Sequence, residues 1–166
     1  MGLDLTDATE RKATPVYSGV FQYFPKALAA VNAQNEPSYG DFLDTLESIR
    51  NKDVRMLCAE FLELCGVKAP GWGWHDLRES LYEIAQLSWI GNEQHNPGEP
   101  LHWARGKSMD QEDCFVRHYL DAGKNFDLID IDGVKHITKA KWRLLAIIEL
   151  ELERQINEQC DRREAP

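Results

Sequence analysis

Four of the five histidines, His95, His102, His118 and His136, fall between residues 95 and 136. The same stretch carries Arg105, Lys107, Arg117, Lys135, Lys139 and Trp103, and no acidic residue interrupts Pro100 to Met109. Arginine and lysine match phosphate oxygens, and an indole face matches a nucleobase. Histidine, cation and tryptophan on one loop therefore point to an anionic ligand with an aromatic part. His95, His102, Trp103, Arg105, Lys107, Arg117, His136 and Lys139 are its candidate contacts. The plainer alternative is a long loop that needs polar residues, with histidines that satisfy backbone groups.

Carboxylates flank this loop in two pairs. Glu79 and Glu83 are four residues apart, and Asp110 and Asp113 are three apart. Both spacings put two carboxylates on one helix face. On neighbouring antiparallel helices the pairs would converge on Mg²⁺, which takes one or two protein carboxylates and completes its shell with water and substrate phosphates. In that reading Glu83 and Asp113 hold metal, Glu79 and Asp110 assist, and a carboxylate or His118 orients the attacking water. The alternative is two solvated acidic faces, with Arg117 bridged to Asp113 and His118 at the edge of the core. His75-Asp76 lacks the upstream histidine of metal-dependent His-Asp phosphohydrolases and reads as a helix start, with Asp76 as N-cap. No Gly-x-Ser-x-Gly elbow and no Cys-x-x-Cys pair occurs.

The elements that must position these groups are helical. Pro25 opens a helix and Asn32 to Gly40 is a linker. Asp41–Ile49 and Val54–Cys65 are amphipathic helices, the second capped by Gly66. Pro70 to Trp74 is a loop with two tryptophans. Asp76–Ile90 is a helix ended by Gly91, and residues 91–107 form a long loop, a length that marks function or disorder. Ser108-x-x-Gln111 has capping-box form and opens a helix to Asp121. In that helix Phe115, Val116, Tyr119 and Leu120 point to the core, away from Asp110, Asp113, Cys114 and Arg117. The last helix spans Val134 to Gln159, and residues 160–166 fray. Val16–Phe24 and Phe126–Ile131 are the only strand candidates, and residues 1–14 read as a polar arm. The fold class is all-α, a helical bundle in a single domain of 166 residues.

The formal charge of −9 argues against a nucleic-acid polymer as ligand, because such binding needs a basic stripe. No stretch approaches the length of a membrane span, and no signal peptide is visible. Four scattered cysteines fit a reducing setting. A cytoplasmic location is expected. The long final helix and the tryptophans make a homo-oligomer plausible.

Two stretches carry a family resemblance. Arg11-Lys12-Ala13-Thr14-Pro15-Val16-Tyr17-Ser18-Gly19-Val20 with Tyr23-Phe24-Pro25-Lys26-Ala27-Leu28 is one, and Gly91-Asn92-Glu93-Gln94-His95-Asn96-Pro97-Gly98-Glu99-Pro100-Leu101-His102-Trp103-Ala104-Arg105-Gly106-Lys107-Ser108 is the other. The second continues through Asp113, Arg117-His118, Asp132-Gly133 and His136 to Lys139-Ala140-Lys141-Trp142-Arg143. Over roughly residues 11–31 and 81–153 the chain resembles small phage and bacterial proteins labelled dATP/dGTP diphosphohydrolase-like. The resemblance implies an all-α fold related to the MazG-type pyrophosphohydrolases. Its activity would be Mg²⁺-dependent hydrolysis of purine (deoxy)nucleoside triphosphates to monophosphate and pyrophosphate. The MazG metal signature is Glu-x-x-Glu followed by Glu-x-x-Asp. Here Glu79 and Glu83 are one residue too far apart, and Asp110 stands in place of the second glutamate. Residues 32–80 would be an insertion relative to the family. A damaged metal signature also fits a non-catalytic protein that sequesters a nucleotide-derived immune signal of the host.

Overall fold

The computed structural model describes residues 17–36, 40–68, 70–107 and 109–166. The polar arm and the Ser108 cap lie outside them. Among the described residues the chain is all-α, with seven helices and no strand. They are α1 (Ser18–Phe21), α2 (Pro25–Asn32), α3 (Phe42–Asn51), α4 (Val54–Leu64), α5 (Arg78–His95), α6 (Gln111–Ala122) and α7 (His136–Glu164).

The 29-residue α7 is the axis of the fold. Its Ala140, Leu144, Leu145, Ala146 and Ile148 are fully buried, and α2, α4, α5 and α6 pack against it. The segment 32–80 shares this core, since Leu57, Phe61 and Leu62 of α4 join the same apolar cluster. The Trp72 indole donates to the Gln34 carbonyl at 2.8 Å and rests on the core. Trp74 stands edge-on to it at 5.3 Å and is exposed.

Local chemistry explains several boundaries. Pro25 occupies the first turn of α2. The buried Glu149 of α7 accepts from the Ala27 N–H at 2.6 Å, answering one of the donors that a helix start leaves unpaired. Asp41 and Asp44 form a capping box on α3. Gly66 closes α4 at φ +76°, a conformation glycine adopts without steric cost.

Several sequence expectations need correction. Val16–Phe24 is not extended where it is described: residues 18–21 form α1. The reason is close approach. Gly19 lies against α5, where an added Cβ would stand 2.7 Å from the Ser88 Cβ. Phe126–Ile131 forms only a single bridge, Ile129 with Lys135. Gly91 does not end α5, which runs on to His95 and shortens the irregular loop. His75 and Asp76 lie in a 3-10 turn, Trp74–Leu77, and Asp76 accepts from the Gly73 N–H at 2.8 Å. On α6 Cys114 is buried and Leu120 is exposed, so the core face runs through Gln111, Cys114, Phe115, His118 and Ala122. Finally, α7 does not fray at 160 but continues to Glu164. Arg154 bonds Glu151 and Glu158 one turn to either side, and Arg162 and Arg163 suit the negative end of the helix dipole.

Candidate functional site

A cavity of about 580 Å³ opens between α5, the loop after it, the end of α6 and the first turns of α7. Its aromatic wall is built by a relay. The Trp142 indole N–H of α7 donates to the Ser88 hydroxyl at 2.8 Å, and that hydroxyl donates to the Gly19 carbonyl at 2.5 Å. This ties α7, α5 and α1 together. Tyr23, Phe24 and Trp103 then pack around Trp142. The Trp103 ring lies 5.4 Å from Trp142 at 74° and 6.3 Å from Tyr23 at 19°. Burial pushes the Tyr23 phenol up to about 12, so it stays protonated and donates to the His102 carbonyl at 2.8 Å.

Asn92 fixes the loop. Buried in the extended part of α5, it donates to the Glu99 carbonyl at 3.1 Å and accepts from the His102 N–H at 3.4 Å. The His102 Nδ1 lies 3.1 Å from the Pro100 carbonyl. A carbonyl can only accept, so the Nδ1 carries the hydrogen. A neutral ring then keeps Nε2 as an acceptor.

Five of the eight residues expected to contact a ligand line the cavity: His95, His102, Trp103, Lys107 and Lys139. His118, expected to act on water, lines it too. Burial, followed by the charges of Lys139 and Arg117, pushes its imidazole down to about 4. It is therefore neutral at physiological pH. The other three stand outside. Arg105 lies over the Trp103 ring at 4.1 Å and pairs with Glu153. Arg117 is exposed, with its guanidinium 3.5 Å from the Cys114 sulfur rather than bridged to Asp113. His136 sits behind His118, their Nδ1 atoms 3.2 Å apart.

The cavity's charges are partly spent on each other. Lys139 donates to Asp130 at 2.7 Å and to Asp132 at 2.6 Å. The Lys139 bond, helped by the Ile131 N–H, holds the Asp130 carboxyl down at about 2. Burial works against ionisation of Asp132, but the bonds from Lys139 and the Val134 N–H outweigh it and hold its carboxyl low. An incoming anion must therefore compete with Asp132 for Lys139.

The expected Mg²⁺ quartet is not assembled. Glu83 accepts from Lys135 at 3.1 Å and from the Thr138 hydroxyl at 3.0 Å, both at the start of α7. Glu79 is exposed on α5 and adds only to the negative field at Lys135. Asp110 and Asp113 line a different groove, walled by Ile147, Glu151 and Arg154 of α7. From Thr138 to Ile147 the helix rises by about 13 Å, far beyond the span of one coordination shell. The physical reason is that α5 and α6 each pack on α7 and make no extensive contact with one another. These residues do not fit a shared Mg²⁺. Among the described residues one group has three ligand atoms mutually within 4.8 Å, namely His118, Asp121 and His136.

Tyr23, Ser88, Asn92, Gln94, Asn96, Asp132, Trp142 and Arg143 also line the cavity, and sequence reasoning gave them no role there. Trp142 and Arg143 carried a signal, as polar-capable residues beside the apolar stripe of α7. The amides of Asn92, Gln94 and Asn96 carried one too, three in five residues ahead of the loop. Tyr23 lies in the resembling stretch, but nothing local tied it to this site, which it reaches only through tertiary packing. No helix among the described residues is long and apolar enough to cross a membrane. Comparison with protein-family models, curated proteins and solved structures gives no match to this chain.

Proposed function

We propose that the protein binds a nucleotide or nucleotide-derived small molecule in this cavity and does not hydrolyse it through carboxylate-held Mg²⁺. One observation carries the reading. His95, His102, Trp103, Lys107 and Lys139, from three separate elements, line one cavity, while Glu83 is bonded to Lys135 and Thr138 and Asp113 lines a different groove. The volume of about 580 Å³ lies in the range of small-molecule sites. The Trp103–Trp142 wall offers apolar edges to a base. The amides of Gln94 and Asn96 and the Nε2 of His102 offer hydrogen bonds to its rim. Lys107 and Arg143 supply positive charge for phosphate. A protein of this kind serves to sequester its ligand, a nucleotide-derived immune signal being one such cargo.

Calorimetry with dATP, dGTP and their monophosphates, with Mg²⁺ and with chelator, tests the reading. Saturable, metal-independent binding with intact nucleotide recovered is expected. Lys107→Ala should weaken it about tenfold, or about 1.4 kcal/mol. Absence of binding by any nucleotide overturns the reading. So does Mg²⁺-dependent release of pyrophosphate that a Glu83→Ala/Asp113→Ala double variant loses, which would restore the hydrolase.

A further inference from the structure

We infer that His118, Asp121 and His136 form a binding site for a zinc-class transition-metal ion at the wall of the cavity. Its three ligand residues are not among those assigned to the nucleotide above, although His118 lines the same cavity.

The geometry is the starting point. His118 and Asp121 are three residues apart on α6 and share a face. His136 is the first residue of α7 and meets them from the other side. The two Nδ1 atoms face each other at 3.2 Å, and one ring nitrogen from each histidine and an Asp121 oxygen lie within 4.8 Å of one another. Zinc–imidazole bonds are about 2.0–2.1 Å. Two such nitrogens at a tetrahedral angle stand about 3.3 Å apart. The observed separation already has that bite. The exposed Asp121 completes the set from the solvent side.

The donor set decides which ion. Two imidazole nitrogens and one carboxylate suit zinc and its neighbours, whereas Mg²⁺ and Ca²⁺ prefer oxygen alone. Three protein ligands leave a tetrahedral ion one open position. His118 also lines the cavity, which puts the metal group beside it.

Nearby charge permits a cation. Lys139 and Arg117 are positive, but Asp121, Asp130 and Asp132 outnumber them, and Lys139 is already held by two of these. Asp130 lies 3.9 Å from the His136 Nδ1, and its negative charge favours a cation there.

The test uses the full chain, chelator-treated, and the metal alone. Co²⁺ reports tetrahedral nitrogen–oxygen coordination by its visible d–d absorption, and Zn²⁺ displaces it. We expect one Co²⁺ per chain, displacement by Zn²⁺ and no competition from Mg²⁺. His136→Gln should abolish the band. Asp121→Asn, at an exposed position that folding tolerates, should weaken binding at least tenfold. Cys160→Ser, which removes the exposed thiol, should change nothing. The site is refuted if no saturable band appears, if Asp121→Asn binds as well as wild type, or if binding disappears in Cys160→Ser.

Discussion

Replacing Glu83 by alanine separates a structural carboxylate from a metal ligand. In the structure its two oxygens serve different partners. One accepts from Thr138, a residue only 2% exposed, at 3.0 Å. Stranding a buried hydroxyl costs about 1–3 kcal/mol. The other accepts from Lys135 at 3.1 Å between partly exposed groups, a screened pair worth about 0.5 kcal/mol. Glu83→Ala should therefore lose about 2–3 kcal/mol of stability. For a chain of this size that lowers Tm by about 5–10 °C. Glu83→Gln keeps an acceptor for Thr138 and should lose about 1 kcal/mol or less.

The pH dependence follows from Lys135. Its bond to Glu83 raises the ammonium above the ordinary lysine value of 10.5. A raised base contributes fully below that value and loses its contribution as pH climbs through the folded one. The Lys135 share of the difference between wild type and Glu83→Ala should thus be constant through neutral pH and shrink only in strong alkali. Thermal melts by circular dichroism, with and without Mg²⁺, are the assay. If Glu83 held Mg²⁺, an ion concentration of 100 times Kd would add about 2.7 kcal/mol to the wild type alone. A Mg²⁺-induced rise in wild-type Tm that Glu83→Ala lacks would refute the assignment of Glu83 to the α5–α7 contact.

Two further outcomes follow from buried and cavity charge. Asp132→Asn removes one of the two carboxylates that hold Lys139, so affinity for an anionic ligand should rise at least threefold, or about 0.7 kcal/mol. Titration at two salt concentrations checks it: the gain should shrink as salt screens it, and a fall in affinity would contradict the model of competition for Lys139. Glu149 is fully buried, and burial raises its carboxyl against the pull of the Ala27 N–H and Lys26. Its ionised form therefore costs stability above the ordinary value, and wild type should gain stability as pH falls toward about 4.5. Glu149→Gln should melt no lower than wild type at neutral pH. Glu149→Leu, which strands the Ala27 N–H, should lose about 1–3 kcal/mol. Equal damage from both would mean that the charge itself is needed.

Helices that carry their own start and stop were legible in the sequence. Pro25 and the cap at Asp41 mark real ends because they act within a few residues of chain. The errors arose where tertiary contact overrides local preference. Gly91 reads as a terminator, yet Asn92 beside it is buried and bonded to the loop, and this anchors another turn of helix. On α6 the wheel placed Leu120 inside and Cys114 outside. The true face is turned toward Cys114 because His118 packs against His136. The histidine and cation cluster was visible because its members are close in sequence. Tyr23 and Ser88 were not, since their roles come from α1 and α5 meeting across the fold.

The two carboxylate pairs teach a sharper lesson about spacing. A helix face is a local property, and it says nothing about which neighbour the face meets. Glu79 and Glu83 share α5, and Asp110 and Asp113 flank the start of α6, as their spacing requires. Convergence needed α5 and α6 to be neighbours, but both pack on α7 instead. The glutamates consequently meet Lys135 and Thr138, and the aspartates meet a groove near Arg154. What does converge across the α6–α7 contact is His118, Asp121 and His136. The two histidines already stood out by residue type, but no sequence spacing joins His136 to His118 and Asp121. The helix pair that brings them together runs antiparallel, with Gln111 against Arg143 at one end and His118 against His136 at the other. The proposed metal site depends on the α6–α7 pairing rather than on either helix alone.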